Sequence, residues 1–157
     1  MRLEQGLGLP KQLRLLVLAH LLIILALVIV NVGIWVPANE GRLVVAKFSN
    51  ALAALYLLVV SGVYLSASNQ NNVQDGTKKA LILPICLALV AQFVFVNVGV
   101  VLLWLANGWL MLLEATPSHK KRWPAPWLTA RRQQGVLLLV ALTSGFVALL
   151  TQGQYYG

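Results

Sequence analysis

Four long apolar stretches, separated by shorter polar segments, make up most of the sequence. Each is free of charged residues for at least 20 positions, and a helix needs about 20 apolar residues to cross a hydrocarbon core about 30 Å thick. The stretches are residues 15–36, 48–67, 80–113 and 133–152. This pattern predicts an all-α integral membrane protein that folds as a four-helix transmembrane bundle, in a single domain spanning residues 1–157.

The polar segments divide the chain into two predicted helical hairpins. Residues 1–67 form the first and residues 80–157 the second, with a loop rich in Ser, Asn, Gln and Gly at 68–79 between them. The tetrapeptide VNVG occurs at 30–33 and again at 96–99. This recurrence indicates duplicated hairpins whose first helices run parallel; chance recurrence in apolar sequence is the alternative explanation.

The third stretch is too long for one crossing, since its 34 residues would reach about 50 Å as a straight helix. In one solution a helix crosses at 81–104, breaks at Asn107 and Gly108, and continues as an interfacial segment. In the other, the break falls at Asn97 and Gly99, and the chain returns as a re-entrant segment or crosses twice.

Charge and the internal repeat favour different solutions. With four crossings, the two sides of the membrane receive 5 and 7 lysines and arginines, whereas a returning third stretch gives 10 and 2. Cytoplasmic loops collect Lys and Arg, so the charges favour the return. The repeat favours four crossings, which we take as the leading prediction, with the return as the alternative.

Composition excludes a water-soluble globule. Hydrophobic residues make up 59% of the chain and charged residues 10%, with a mean hydropathy of +0.80, while soluble proteins carry about 25% charged residues. The net charge of +8 predicts anionic lipid head groups as a partner and, because basic loops here are tethered to membrane helices, no nucleic acid. With no organelle-targeting signal evident, we expect a bacterial cytoplasmic (inner) membrane.

Polar side chains inside the apolar stretches are the candidates for function, because such groups are costly in lipid. A histidine could ligate a haem or a metal, and side-chain amides could line a substrate path. The glutamate is expected at the interface near Lys120 or Arg122. These candidates are His20, Asn31, Gln92, Asn97 and Glu114. For His20 we expect an interhelical hydrogen bond rather than a ligand role, and we predict no catalytic residue, no cofactor and no metal.

The segment 116–134 combines basic and aromatic residues, which suits an interfacial loop. We predict that a lipid or a partner protein contacts seven of its residues. They are Lys120, Lys121, Arg122, Trp123, Trp127, Arg131 and Arg132. The chain has one cysteine, Cys86, so a disulfide within the chain is excluded, and we expect this cysteine to be buried as a small apolar residue.

These features favour a noncatalytic membrane protein that serves as an accessory, assembly or structural subunit of a larger membrane complex. Other membrane subunits or further copies of the chain are the expected partners. A small transporter or channel using the membrane amides is the alternative, followed by a haem- or metal-binding redox protein using His20. Convergence of the amides on one wet cavity would support transport.

Overall fold

The computed structural model of the protein describes residues 11–35, 41–70 and 75–151. Within these ranges the chain is helical apart from short turns, and no strand is present. The helices are α1 (Lys11–Trp35), α2 (Gly41–Gln70), α3 (Asp75–Val90), α4 (Val96–Ala115), α5 (Pro117–Lys120) and α6 (Ala125–Thr151). The all-α prediction is confirmed for this part of the chain.

Four of these helices are long and apolar enough to cross a membrane. The candidate spans are Leu13–Trp35, Gly41–Ser68, Val96–Ala115 and Ala125–Thr151. They lie in α1, α2, α4 and α6, and each holds at least 20 residues, so at 1.5 Å per residue each reaches about 30 Å or more. Residues 36–40, between α1 and α2, and the chain after Thr151 lie outside the described residues.

Side-chain contacts fix the directions of the helices. Gln134 of α6 donates to the backbone oxygen of Val17 of α1, and Gly145 lies against Asn31, so α1 and α6 run parallel. Asn107 of α4 instead pairs with Gly135, while Glu114, seven residues further along α4, pairs back with Arg131. Helix α4 therefore runs antiparallel to α6 and to α1.

The third apolar stretch breaks at residues 91–95, between α3 and α4. The Trp109 indole donates to the Ala80 carbonyl oxygen at 2.8 Å, which places the end of α4 beside the beginning of α3. The two helices thus form an antiparallel pair. The expected break at Asn107 and Gly108 is wrong, because α4 continues through both residues, and so is the interfacial segment at 109–114. The alternative break at Asn97 and Gly99 is also misplaced, since both residues lie in the first turn of α4.

Because α3 and α4 run antiparallel, most of the positive charge lies at one end of the bundle. This basic end holds the beginnings of α1, α3 and α6 and the ends of α2 and α4. Nine of the eleven lysines and arginines in the described ranges lie there, namely Lys11, Arg14, Lys78, Lys79, Lys120, Lys121, Arg122, Arg131 and Arg132. Arg42 and Lys47 lie toward the opposite end.

Several boundaries differ from the expected ones. Helix α2 extends into the predicted loop 68–79, and α3 begins inside it at Asp75. The predicted basic loop 116–134 contains α5 and the first ten residues of α6. The first VNVG segment lies near the end of α1 and the second begins α4. Because these helices run antiparallel, both segments lie at the end opposite the basic end, and the described structure does not show duplicated parallel hairpins.

The core lies between α2, α4 and α6, and small residues let these helices approach closely. Ala53 of α2, Ala106 of α4 and Ala148 of α6 have no exposed surface. Cys86 lies on the outer surface of α3 and is exposed, so the expectation that it is buried is wrong. It occupies an outward position of a helix whose inner positions are Leu81 and Ala88.

Candidate functional site

A group of buried polar side chains joins four helices near the basic end. We call it the polar cluster and define it as Tyr56 and Tyr64 of α2, Glu114 of α4, and Arg131 and Gln134 of α6. None of these side chains is more than 4% exposed. Polar groups in an apolar interior are costly unless they are paired, so their concentration at one place marks this cluster as the first candidate site.

An ion pair lies at the centre of the polar cluster. Arg131 Nε donates to Glu114 Oε1 at 3.0 Å, and both side chains are fully buried. The Tyr64 hydroxyl donates to the same carboxylate oxygen at 2.6 Å. Charge-assisted hydrogen bonds of this kind are about twice as strong as neutral ones, and here they compensate for removing both charges from water.

Further bonds extend the polar cluster to neighbouring helices. Arg131 Nη1 donates to the Tyr56 hydroxyl, which in turn donates to Gln134 Oε1 at 3.3 Å. Gln134 Nε2 reaches the backbone oxygen of Val17 in α1 at 3.4 Å. The guanidinium also lies over the Tyr56 ring, 5.1 Å from its centroid, where a cation is attracted to the ring face. The network therefore connects α1, α2, α4 and α6.

Two polar atoms of the ion pair make no hydrogen bond within the described part of the protein. They are Glu114 Oε2 and Arg131 Nη2. Glu114 was expected at the interface near Lys120 or Arg122, but its side chain is buried and its ion-pair partner is Arg131 of α6. Glu114 lies in the last turn of α4, which is where the third apolar stretch was expected to end.

Both histidines lie near the polar cluster, against different aromatic rings. His20 packs on Tyr56 and Trp127 with ring centroids 5.5 and 5.9 Å apart. Neither of its ring nitrogens has a hydrogen-bond partner among the described residues, so the expected interhelical hydrogen bond is not found there. Aromatic contacts hold this ring instead.

His119 belongs to helix α5 and is only 7% exposed. Its ring packs edge-on against Tyr64 at 4.6 Å and parallel to Trp123 at 6.0 Å. Burial of the ring and the positive charge of Arg122 lower the pKa of His119 from 6.5 to about 4. No group of three or more His, Cys, Asp or Glu side chains within the described ranges could hold a metal ion.

None of the described cavities is lined by more than one of the amides Asn31, Gln92 and Asn97. Asn31 donates to the Leu27 carbonyl oxygen and accepts from the Ser49 hydroxyl. Gln92 lies in the turn before α4, within 3.4 Å of the Asn50 carbonyl oxygen, and Asn97 is half-buried in the first turn of α4. Glu114 is 17 residues further along α4, about 26 Å away at 1.5 Å per residue.

The seven residues expected at a lipid or partner interface divide into two groups. Lys120, Lys121, Arg122 and Arg132 are exposed and Trp123 is half-buried. Trp127 and Arg131 are fully buried, so their expected interfacial position is wrong. The Trp127 indole donates to the Tyr64 hydroxyl at 3.2 Å, and Arg131 pairs with Glu114. These two contacts explain why both side chains turn inward.

Two cavities lie at the ends of the bundle. A cavity of about 510 Å³ is lined by Lys47, Asn50 and residues 91–96 at the end opposite the basic end. A smaller cavity of about 160 Å³ lies at the basic end, between the beginning of α3, the end of α4 and α5. We call the second one the α5 cavity.

The outer face of α1 is a further candidate surface. Only 22% of the most apolar 18-residue segment of α1 is buried, compared with 44% of the corresponding segments of α2 and α6. Six large apolar side chains on this helix are each more than half exposed and follow the alternating spacing of three and four residues that defines a heptad repeat. They are Leu15, Leu18, Leu22, Leu25, Ile29 and Val32, and we call them the α1 stripe.

The sequence interpretation did not identify Tyr56, Tyr64, Gln134 or the α1 stripe as functional. Tyr56 and Tyr64 lie within an apolar stretch, and a buried tyrosine hydroxyl needs a hydrogen-bond partner, which is a signal that the sequence carries. The stripe was hidden because almost every residue of α1 is apolar, so its spacing becomes visible only when the inner face of the helix is known.

Comparison of the chain with protein-family models, with curated proteins and with solved structures finds no match.

Proposed function

We propose that this chain is a noncatalytic subunit of a larger membrane assembly, which it joins by packing the α1 stripe against a transmembrane helix of another subunit. The observation that carries the proposal is the heptad spacing of six exposed apolar side chains on the least buried of the four candidate spans. Heptad positions a and d meet a second helix as knobs entering holes. Packing of this kind drives association of helices within lipid.

The small residues of α2 and α6 also favour the α1 stripe as the partner surface, because they already pack against helices of the same chain. Ala141 and Gly145 of α6 are buried and pack toward α1, where Gly145 lies against Asn31. Ser49 and Ala53 of α2 are buried as well. These small-residue pairs are used within the chain, so we assign the partner contact to the α1 stripe, which lies on the least buried of the four candidate spans.

The charge distribution supports an orientation for the assembly. Nine of the eleven lysines and arginines in the described ranges lie at the basic end, and such residues collect on the cytoplasmic side. We infer that the basic end faces the cytoplasm of a bacterial inner membrane, and that α3 crosses back beside α4. With this orientation, the exposed side chains of residues 120–122 meet the anionic inner leaflet.

The proposal is tested by photocrosslinking in native membranes. A benzophenone amino acid replaces Leu22 in the α1 stripe, and Leu112 of α4 serves as the matched control because the two side chains are 66% and 67% exposed. We expect irradiation at position 22 to give a discrete protein adduct, whose mass spectrum distinguishes another subunit from a second copy of the chain. We expect position 112 to give lipid adducts.

Lipid adducts alone at both positions would contradict the proposal. A second set of variants tests whether the α1 stripe drives association. In this set, Leu18→Ala together with Leu25→Ala shortens two side chains of the stripe. We expect these changes to weaken co-purification of the partner about tenfold or more while the bundle stays folded, since both side chains are more than half exposed. The corresponding double change at Leu105 and Leu112 of α4, also exposed, should leave co-purification unchanged.

A further inference from the structure

We propose that the α5 cavity is a binding site for a phosphate group at the cytoplasmic membrane surface. The cavity lies where α4 ends and α5 begins, so it opens at the basic end of the bundle. Its lining includes apolar side chains on one side and polar or basic ones on the other. The lining residues include Leu81, Leu113, Thr116, Ser118, His119 and Arg122.

A buried group that lacks a partner borders this cavity. His119 is 7% exposed, and its Nε2 atom has no hydrogen-bond partner within the described ranges. Its ring is held between Tyr64 and Trp123, so the imidazole keeps one orientation at the cavity wall. The His119 ring lines the cavity, so a phosphate group bound there lies beside the imidazole, which reports its binding.

The charge and the size of the cavity select the ligand class. Arg122 also lines it, and its planar guanidinium binds phosphate through two parallel hydrogen bonds. The hydroxyl groups of Thr116 and Ser118, 3.3 Å apart, lie on the same lining. At about 160 Å³ the cavity is smaller than the roughly 300–1,000 Å³ of pockets that enclose larger ligands, which suits a single phosphate group.

The Trp123 ring beside His119 favours a lipid as the source of that phosphate. Indole rings prefer the head-group region of a bilayer, and the apolar side chains of Leu81 and Leu113 line the other part of the cavity. A phospholipid could place its phosphate against His119 and Arg122 while its acyl chains follow α3 and α4. Free inorganic phosphate presents the same chemistry without the chains.

The test uses the full chain purified in a neutral detergent and two probes. Phosphatidylglycerol is titrated and bound lipid is counted by native mass spectrometry, while inorganic phosphate is titrated and followed through the imidazole NMR signals of His119. Arg122→Gln is compared with Lys121→Gln, which removes the same charge from the neighbouring exposed position. We expect Arg122→Gln to weaken phosphatidylglycerol binding about tenfold and Lys121→Gln to change it less than twofold, with the His119 signals shifting on binding.

The outcomes separate the two sources and can overturn the site. Binding of inorganic phosphate alone, dependent on Arg122 and accompanied by a shift of the His119 signals, supports the site with free phosphate as its ligand. Equal weakening by both variants means that diffuse positive charge attracts the lipid, which overturns the proposal. Binding that leaves the His119 signals unmoved, or no binding of either probe, overturns it as well. None of these results depends on the α1 stripe.

Discussion

At the scale of single residues, we expect substitutions in the fully buried pair of Glu114 and Arg131 to be strongly destabilising. Removing one partner of such a pair leaves the other charge buried and uncompensated, which is more damaging than removing both. Removal of Glu114 would also take the charged partner from the Tyr64 hydroxyl, and removal of Arg131 would take it from the Tyr56 hydroxyl.

We expect Glu114→Gln to lower the free energy of unfolding by about 3 kcal/mol or more. The double variant Glu114→Gln with Arg131→Met should recover part of this loss, because no unpaired charge is then left inside. Arg132→Gln is the matched control, since Arg132 follows Arg131 but is exposed, and its effect should stay within about 0.5 kcal/mol. Thermal unfolding in detergent measures all three. Equal small effects of Glu114→Gln and Arg132→Gln would mean that the pair is not buried.

The buried ring of His119 predicts a dependence of stability on pH. Its pKa is about 4 in the folded protein and about 6.5 when exposed, so the unfolded chain binds a proton more readily. Stability is therefore fully present above pH 6.5 and falls as the pH decreases toward 4, by about 3 kcal/mol. Thermal unfolding of His119→Gln at the same pH values should show a smaller decrease. Identical pH profiles for the two proteins would contradict this assignment.

The residues of the polar cluster were only partly predictable from the sequence. Glu114 stands out as the only acid bordering a long apolar stretch, and its position at the end of a helix follows from the polar segment after it. Its partner could not be chosen, because Lys120, Arg122 and Arg131 all follow within 17 residues. The turns of α5 decide which of them reaches back to α4.

At the scale of helices, the packing of α3 against α4 depends on Gly99. A Cβ atom at this position would lie 2.7 Å from the Ala91 backbone oxygen and 2.9 Å from Asn50 Nδ2. The first of these atoms belongs to the backbone of the turn and cannot rotate away. At Gly108 in the same helix, an added Cβ atom would meet no neighbouring atom within 4 Å, which makes the two glycines a matched pair.

We expect Gly99→Ala to destabilise the protein by about 1–3 kcal/mol, because the turn at 91–95 must shift to admit the methyl group. Gly108→Ala should be neutral or stabilising by up to about 1 kcal/mol, since alanine favours a helix more than glycine does. Thermal unfolding of the two variants under identical detergent conditions checks both. A neutral Gly99→Ala would show that the turn does not contact α4 at this point.

The helices themselves were predictable from apolar length, whereas the position of the turn between α3 and α4 was not. The sequence at 91–95 is AQFVF, which contains neither glycine nor proline and gives no turn signal. Asn97, Gly99, Asn107 and Gly108 carry such signals, yet all four lie within α4. Packing of α4 against α2 and α6 keeps these residues helical, so tertiary contacts override the local preference.

At the scale of the whole molecule, the return of the chain through α3 and α4 determines what lies at each end. It brings Lys79 and Lys121 to the same end of the bundle, together with the polar cluster and the α5 cavity. Charge counting favoured this path from the sequence alone, since it gathers nearly all the lysines and arginines on one side. The repeated VNVG segment favoured the other path, and its two copies lie on antiparallel helices in the structure.

The most direct test of this arrangement is the labelling of single cysteines by a membrane-impermeant maleimide in right-side-out and inside-out vesicles. Cys86 is first replaced by Ser, because it is exposed on α3, and single cysteines are then placed at Lys47, Lys79 and Lys121. We expect positions 79 and 121 to react from the same side of the membrane, with position 47 reacting from the other. Reaction of positions 79 and 121 from opposite sides would contradict the returning path, and with it the single basic end.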